Sequence, residues 1–249
     1  MSWDGGEPTD LYLGDRQVAV CVGPRLIARA DIDDWSQGAA QAPALLKRHR
    51  PAHAVRVWLG GGLCRPFLLP EAAATLRRGE REQLRHVLAR RTLACPGVPC
   101  TVWSEAPPPG LRPVAVGVQT VVLTRLHQAV SAAGARVGHV GPWWAEALNR
   151  LLAADGTALV ALAVHDGDAV TVLRGRGPSF DEVRTIAPVE DRAAALATLS
   201  GPPPRPVGAA EVPAGDATVQ WRWVRLLAGE RASPPACDWP LSPMVEFGP

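Results

Sequence analysis

The spacing of apolar and polar positions changes several times along the chain, and each change marks an element. LYLGDRQVAVCVG (11–23) runs apolar, breaks at Gly-Asp and runs apolar again, which predicts strand, tight turn, strand. PRLIARADI (24–32) alternates imperfectly but can add a third strand. A helix is expected over 39–50. AHAVRVWLG (52–60) reads as a strand ended by the glycines at 60–62, and FLLP (67–70) as a short one. Residues 71–92 take up helix period, with Leu76, Leu84, Val87 and Leu88 facing an arginine-rich side. CTVW (100–103) and PVAVGVQ (113–119) predict strands, and TVVLTRLHQAVSAAG (120–134) a helix capped by Gly134. ARVGHVG (135–141) is strand-like. A helix opens at Pro142, with Trp143, Trp144, Ala147, Leu148, Leu151 and Leu152 at helical spacing.

LAVHDGDAVTVL lies at the heart of a second hairpin (158–175), followed by a third strand, EVRTIAPV (182–189), and a helix at 191–199. GPPPRPVG (201–208) reads as a linker. VQWRWVRLLAG (219–229) is amphipathic either as strand or as helix. The last sixteen residues hold five prolines, which predicts an extended tail. YLGDRQVAV (12–20) can be laid over HDGDAVTVL (165–173), so that Gly14 and Asp15 fall on Gly167 and Asp168. The match sits at the first hairpin of each half, where a duplicated fold would place it.

Composition narrows the function classes. The 249 residues are 47% hydrophobic with a net charge of +2, so a normal core is available and no global charge demands nucleic acid. Arg77, Arg78, Arg81, Arg85, Arg90 and Arg91 are mixed with Glu71, Glu80 and Glu82 and lack interleaved aromatics, which favours a solvated helix face. Five scattered cysteines give no zinc spacing. Only Cys95 and Cys100 are close; a disulfide across their turn is open, and reduced thiols are expected. The six histidines form no ligand set, and no metal is expected. GGGL lacks the Lys-Ser or Lys-Thr of a phosphate loop, and no nucleophile elbow or triad is visible. MSWDGGEPTD has no signal-peptide character, and no unbroken apolar run of about 18 residues suggests a membrane span. Nine tryptophans against one tyrosine and three phenylalanines point mostly to core; Trp239, in the tail, fits a core least well.

The second half, TVVLTRLHQAVSAAGARVGHVGPWWAEALNRLL followed by the hairpin and EVRTIAPV, resembles the actin-like scaffolds of bacterial envelope machines. These are the pilus assembly protein PilM and the cytoplasmic domain of the type II secretion protein GspL. The resemblance rests on Ala133–Gly134, Val137–Val140, Pro142 and 162–173, and covers about 10–200 in element order. It implies an α/β fold of RNase H/actin-like type with two lobes around a cleft, lobe one at 10–118, a degenerate lobe two at 119–230, and a proline-rich tail at 231–249.

The resemblance also implies a cytoplasmic scaffold, peripheral at the inner membrane through its partners. These would be inner-membrane pilus or secretion assembly proteins, met by peptide capture in the cleft or by sheet addition; self-association is open, and no nucleic acid is implied. Trp239, Met244 and Phe247 are the partner-binding candidates in the tail. Gly14, Asp15, Asp166, Gly167, Asp168 and Thr171 are the positions that would meet a nucleotide. Actin-like ATPases place an Asp two residues before each turn glycine to organise Mg²⁺; Tyr12 and His165 stand there instead, and neither holds a hydrated cation as a carboxylate does. The lysine that PilM-like proteins tend to carry on the first hairpin falls near Ala19. No catalytic residue and no cofactor are therefore expected, with an ATP/Mg-binding ATPase as the alternative. A two-metal RNase H-like nuclease, needing Asp10, Asp15, Asp166 and Asp168 clustered, ranks last.

Overall fold

The computed structural model describes residues 8–23, 25–48, 54–104, 113–155, 159–166, 169–176, 179–186, 222–226 and 245–248. The chain begins with three antiparallel strands, β1 (Thr9–Leu13), β2 (Gln17–Val22) and β3 (Arg25–Asp31). Helix α1 (Trp35–Arg48) leads to β4 (Ala54–Leu59), which lies parallel to β1. A smaller antiparallel sheet follows: β5 (Cys64–Leu68), a 3₁₀ turn (Glu71–Ala74), α2 (Arg78–Thr92), β6 (Cys100–Ser104) and β7 (Val114–Gln119), in strand order β5-β7-β6. Helix α3 (Thr120–Ala132) then returns the chain to the first sheet, where β8 (Arg136–Pro142) pairs in parallel with β4. The order β3-β2-β1-β4-β8 is complete at that point.

Helix α4 (Trp143–Asp155) carries the chain to a second sheet. It starts again with three antiparallel strands, β9 (Leu159–Asp166), β10 (Ala169–Arg176) and β11 (Ser179–Ile186). β12 (Arg222–Leu226) runs parallel to β9, as β4 does to β1, and β13 (Val245–Gly248) completes the order β11-β10-β9-β12-β13. The two sheets thus repeat one strand order. They differ at the fifth strand: β8 is parallel to its neighbour and β13 is antiparallel.

Burial explains the continuous apolar runs. β1 is buried along its whole length, as expected for a strand covered on both faces. Leu11, Leu13, Val18, Val20, Val55, Val57 and Leu59 share one face by alternation. Helix α1 covers it closely: a Cβ on Gly38 would meet Leu13 Cδ1 at 2.5 Å and Ile32 Cδ1 at 2.7 Å. Helix α3 packs beside α1 through Val122, Leu126, Ala129 and Val130. The opposite face carries Asp10, Tyr12, Ala19, Cys21, Arg56 and Trp58. Trp143, the first residue of α4, meets Trp58 edge-on at 6.2 Å. Leu162, Val164, Leu173 and Phe180 of the second sheet join the same core.

Two expectations are corrected. Helix α1 begins at Trp35 rather than 39, because Asp34 caps it: its carboxylate accepts from Ser36 N (2.7 Å) and Gln37 N (3.1 Å). The helical period of 71–92 is split, with a 3₁₀ turn first and a fresh start at Arg77, whose N–H donates to Glu80 Oε2 at 2.9 Å. The first sheet continues past the expected division at 118/119, since α3 leads to β8, which pairs with β4. The helix expected at 191–199 and the linker at 201–208 lie outside the described residues. The segment 219–229, left between strand and helix, contains β12, and the tail contributes β13.

Candidate functional site

The C-terminal ends of parallel strands are where open α/β sheets place their ligands. In the first sheet, the ends of β1 and β4 meet there. The Gly60 N–H donates to Leu13 C=O at 2.9 Å, tying the glycine turn after β4 to the end of β1. Leu63 N and Cys64 N both donate to Gly60 C=O, so the GGG stretch is the strand-ending turn expected of it. Beside it, Gly14 N–H donates to Gln17 C=O at 2.8 Å, leaving Asp15 and Arg16 at the tip of the first hairpin.

Both turns are filled by the chain's own side chains. A Cβ on Gly14 would lie 2.5 Å from the Tyr12 hydroxyl oxygen and 3.1 Å from Cε1 and Cζ. Tyr12 is fully buried, and its partner across the hairpin is Ala19, whose small side chain is equally buried. The approach that a glycine gives to an anion in other proteins is here taken by a phenol ring. The Asp15 carboxylate lies where a Cβ of Gly62 would be, folded onto the neighbouring turn. Arg65 fastens the same turn from behind, donating from Nε to Gly62 C=O and from NH1 to Thr92 C=O, both at 3.2 Å.

Asp10, the remaining carboxylate on β1, is engaged as well. Arg56 donates to it twice, Nε at 2.6 Å and NH2 at 2.7 Å, and Trp58 Nε1 donates at 3.1 Å. Register places the three on one face of β1 and β4. The fork geometry and the low exposure of Asp10 make this a strong charge-assisted pair. The hydrogen bond to Asp10 raises the Arg56 guanidinium further above its ordinary value. Burial, with the Asp10 charge adding to it, pushes the neighbouring Cys21 thiol up to about 12. Trp58 continues the cluster to His139 on β8, ring centroids 5.1 Å apart.

In the second hairpin Thr171 is buried, and its hydroxyl is paired with Thr185 across β10 and β11 at 3.2 Å. Asp166 ends β9 opposite Ala169; Gly167 and Asp168, between them, lie outside the described residues. The register corrects the overlay of the two hairpins. Leu13 pairs with Val18, but the residues laid over them, Asp166 and Thr171, pair with Ala169 and Val164. Matching the pairings shifts the overlay by one residue and sets Gly14 against Asp166, not Gly167. A one-residue slip exchanges the faces of a strand, so the two glycines are not equivalent.

Of the tail candidates, Phe247 stands opposite Val224 in β13, while Trp239 and Met244 lie outside the described residues. On α2, Arg78, Arg90 and Arg91 are exposed and Arg81 and Arg85 half-buried, with Arg85 paired to Glu82 at 2.8 Å. That is the solvated face expected of it. Among the described residues no group of three or more His, Cys, Asp or Glu could hold a metal ion, and no helix is long and apolar enough to cross a membrane. The residues that the sequence reading missed are Arg56, Trp58 and Arg65. The alternation in AVRVWL, which sets Arg56 and Trp58 on one face, was the available signal.

No family profile matches the chain, and no curated protein is significantly similar to it. Solved structures are similar in shape. The chain is 17% identical to a chain of a PilM–PilN type IV pilus biogenesis complex, with a TM-score of 0.49, covering 72% of this chain and 61% of that one. It therefore spans less than two thirds of that relative. It is 14% identical to the cytoplasmic domain of EpsL, an inner-membrane component of the type II secretion system of Vibrio cholerae, with a TM-score of 0.43, covering 72% and 71% of the two chains. A Bacteroides thetaiotaomicron protein of unknown function with an actin-like ATPase fold matches with a TM-score of 0.51 at 11% identity, over 80% of this chain and 78% of that one. That match and the repeated strand order agree: the chain has the actin-like fold.

Proposed function

We propose that the chain is a non-catalytic, cytoplasmic scaffold of a type IV pilus or type II secretion-like assembly platform, peripheral at the inner membrane and acting by protein–protein contact. The observation that carries the loss of catalysis is the Tyr12 ring seated over Gly14. With Asp15 folded onto Gly62 and Asp10 held by Arg56 and Trp58, the first hairpin does not fit a magnesium-bound nucleotide. A fold that keeps the actin-like strand order while filling its own turn has a use for the shape rather than the chemistry. The class of partner follows from the resemblance of 120–187 to PilM and GspL. The partner segment would enter by peptide capture or by adding a strand to a sheet, with self-association as a further contact.

Calorimetric titration of the concentrated protein with ATP and Mg²⁺ tests the first part; no saturable heat is expected. Heat saturating at one nucleotide per chain would instead establish the ATPase reading, and the Asp168→Ala and Gly167→Val variants would then locate it. Titration with cytoplasmic peptides of inner-membrane pilus or secretion assembly proteins tests the second part. Saturable binding is expected, and failure across such a panel would remove the scaffold assignment.

A further inference from the structure

Apart from the filled hairpin, the inserted small sheet carries a second constellation. The CPGVPC turn links α2 to β6 and brings a thiol, an imidazole and a guanidinium around one cavity. Cys100, at the start of β6, is buried, with Sγ 3.7 Å from His86 Nδ1 on α2. Arg90, one helical turn further along, is exposed. Together with Gly97, Val98 and Pro99 these residues line an open cavity of about 270 Å³. Cys95 is half-buried at the other end of the turn and packs on the same small core as Cys100. The turn bends back on itself: Cys95 N donates to Arg90 C=O, Val98 N to Cys95 C=O, and Ala94 and Gly97 both adopt positive φ.

We propose that Cys95 and Cys100 form a thiol-exchange site for small anionic disulfides of the oxidised-glutathione class, which closes a disulfide across this turn. The roles divide by accessibility. Cys95, the more exposed thiol, gives its proton to water and attacks one sulfur of the small disulfide as the thiolate; that S–S bond breaks, a mixed disulfide forms on Cys95, and one small thiolate leaves and takes a proton back from water. Cys100 then attacks the Cys95 sulfur. Its proton passes to His86, the mixed S–S bond breaks, and the second small thiolate leaves with that proton. Two protein thiols are oxidised and one disulfide is reduced to two thiols. Burial raises the Cys100 thiol, more than the Arg90 charge lowers it, which suits the second step rather than the first. The cavity holds the departing group, and Arg90 pairs with its carboxylates.

The site is coupled to the main fold. Thr120 N, at the first turn of α3, donates to Pro99 C=O at 3.0 Å, and the Thr101 and Thr120 hydroxyls pair at 3.3 Å. Closing the turn therefore acts on the seat of α3, the helix that packs beside α1.

The test incubates the full chain with oxidised glutathione, quenches with acid and maps the cysteines by mass spectrometry. The expected product is an intrachain Cys95–Cys100 disulfide, with Cys21 and Cys64 untouched. Cys100→Ser should stop at glutathione on Cys95. His86→Gln should slow the second step several-fold and leave the first unchanged. Arg90→Gln should slow reaction with oxidised glutathione but not with uncharged hydroxyethyl disulfide. A mixed disulfide that persists on Cys95 in the unaltered chain, or no reaction at all, overturns the site. Equal slowing of both small disulfides by Arg90→Gln overturns the anion preference.

Discussion

Replacing Gly14 by alanine tests the filled hairpin directly, because the added methyl has one obstacle. Among the described residues the positive-φ glycines are Gly23, Gly97 and Gly134; Gly14 is not one of them, so its backbone accepts alanine. The new Cβ would sit 2.5 Å from the Tyr12 oxygen and 3.1 Å from two ring carbons. Carbon contacts settle near ~3.5–4.0 Å, so the ring must retreat by about 1 Å. Tyr12 is fully buried, so it retreats only against its packed neighbours. Overpacking of this kind costs about 1–3 kcal/mol, offset by ~0.4–1 kcal/mol because alanine stiffens the unfolded chain. A net loss of ~1–2 kcal/mol is expected from Gly14→Ala alone. Tyr12→Leu removes the obstacle at its own cavity cost of about 2–4 kcal/mol. In that background Gly14→Ala should be neutral or stabilising, by up to ~1 kcal/mol. Urea unfolding followed by tryptophan fluorescence reads all four corners of the cycle. If the Gly14→Ala penalty is the same in both backgrounds within ~0.5 kcal/mol, Tyr12 does not occupy the turn and the argument against a nucleotide there fails.

Three further outcomes follow from neighbouring groups. Gly62→Ala should cost about 1 kcal/mol, because the Asp15 carboxylate in its way is the end of a half-exposed chain, and Asp15→Ala should abolish that cost in denaturant titration. Arg56→Ala should destabilise more than Asp10→Asn: the first strands a nearly buried carboxylate, at about 3 kcal/mol, while the second leaves a guanidinium a third exposed, at ~1–2 kcal/mol. Reversal of that order in chemical unfolding would contradict the burial argument. The Cys21 thiol, at 9.0 when unfolded, is pushed to about 12 in the fold, so the native state holds the proton more tightly. Its contribution is complete below pH 9 and is lost as pH rises through 12; Cys21→Ala should flatten the alkaline fall of the thermal midpoint, and an unchanged slope would rule that out.

Much of the fold was legible because local signals carried it. Alternation and glycine-punctuated runs located β1, β2, β4, β7 and the β9–β10 hairpin, and the Gly134 cap is confirmed by its φ of +80°. What failed was non-local. Nothing near residue 136 announces that its strand pairs with β4, more than eighty positions earlier. The start of α1 failed for the opposite reason: the capping aspartate was present in the sequence, but the apolar period becomes regular only several residues after it.

The hairpin glycines show why element order can be read more safely than a site. Gly14 and Gly167 match as letters, and the apolar runs behind them match as well. Pairing decides otherwise: Leu13 faces Val18, while Asp166 faces Ala169, and the true correspondence is displaced by one residue. Displacement by one turns a side chain to the other face of the sheet. The position before a turn that serves a ligand in one hairpin can therefore serve the core in another. Tyr12 is that case. It lies on the same face as Asp10, Arg56 and Trp58, opposite a small Ala19 that leaves space for its ring, and its phenol closes over the glycine. In the sequence, Tyr12 registers only as the absence of a carboxylate two residues before Gly14. The packing adds that its ring occupies the space over Gly14. One buried aromatic ring, resting on Gly14, thus both packs the core and closes the turn.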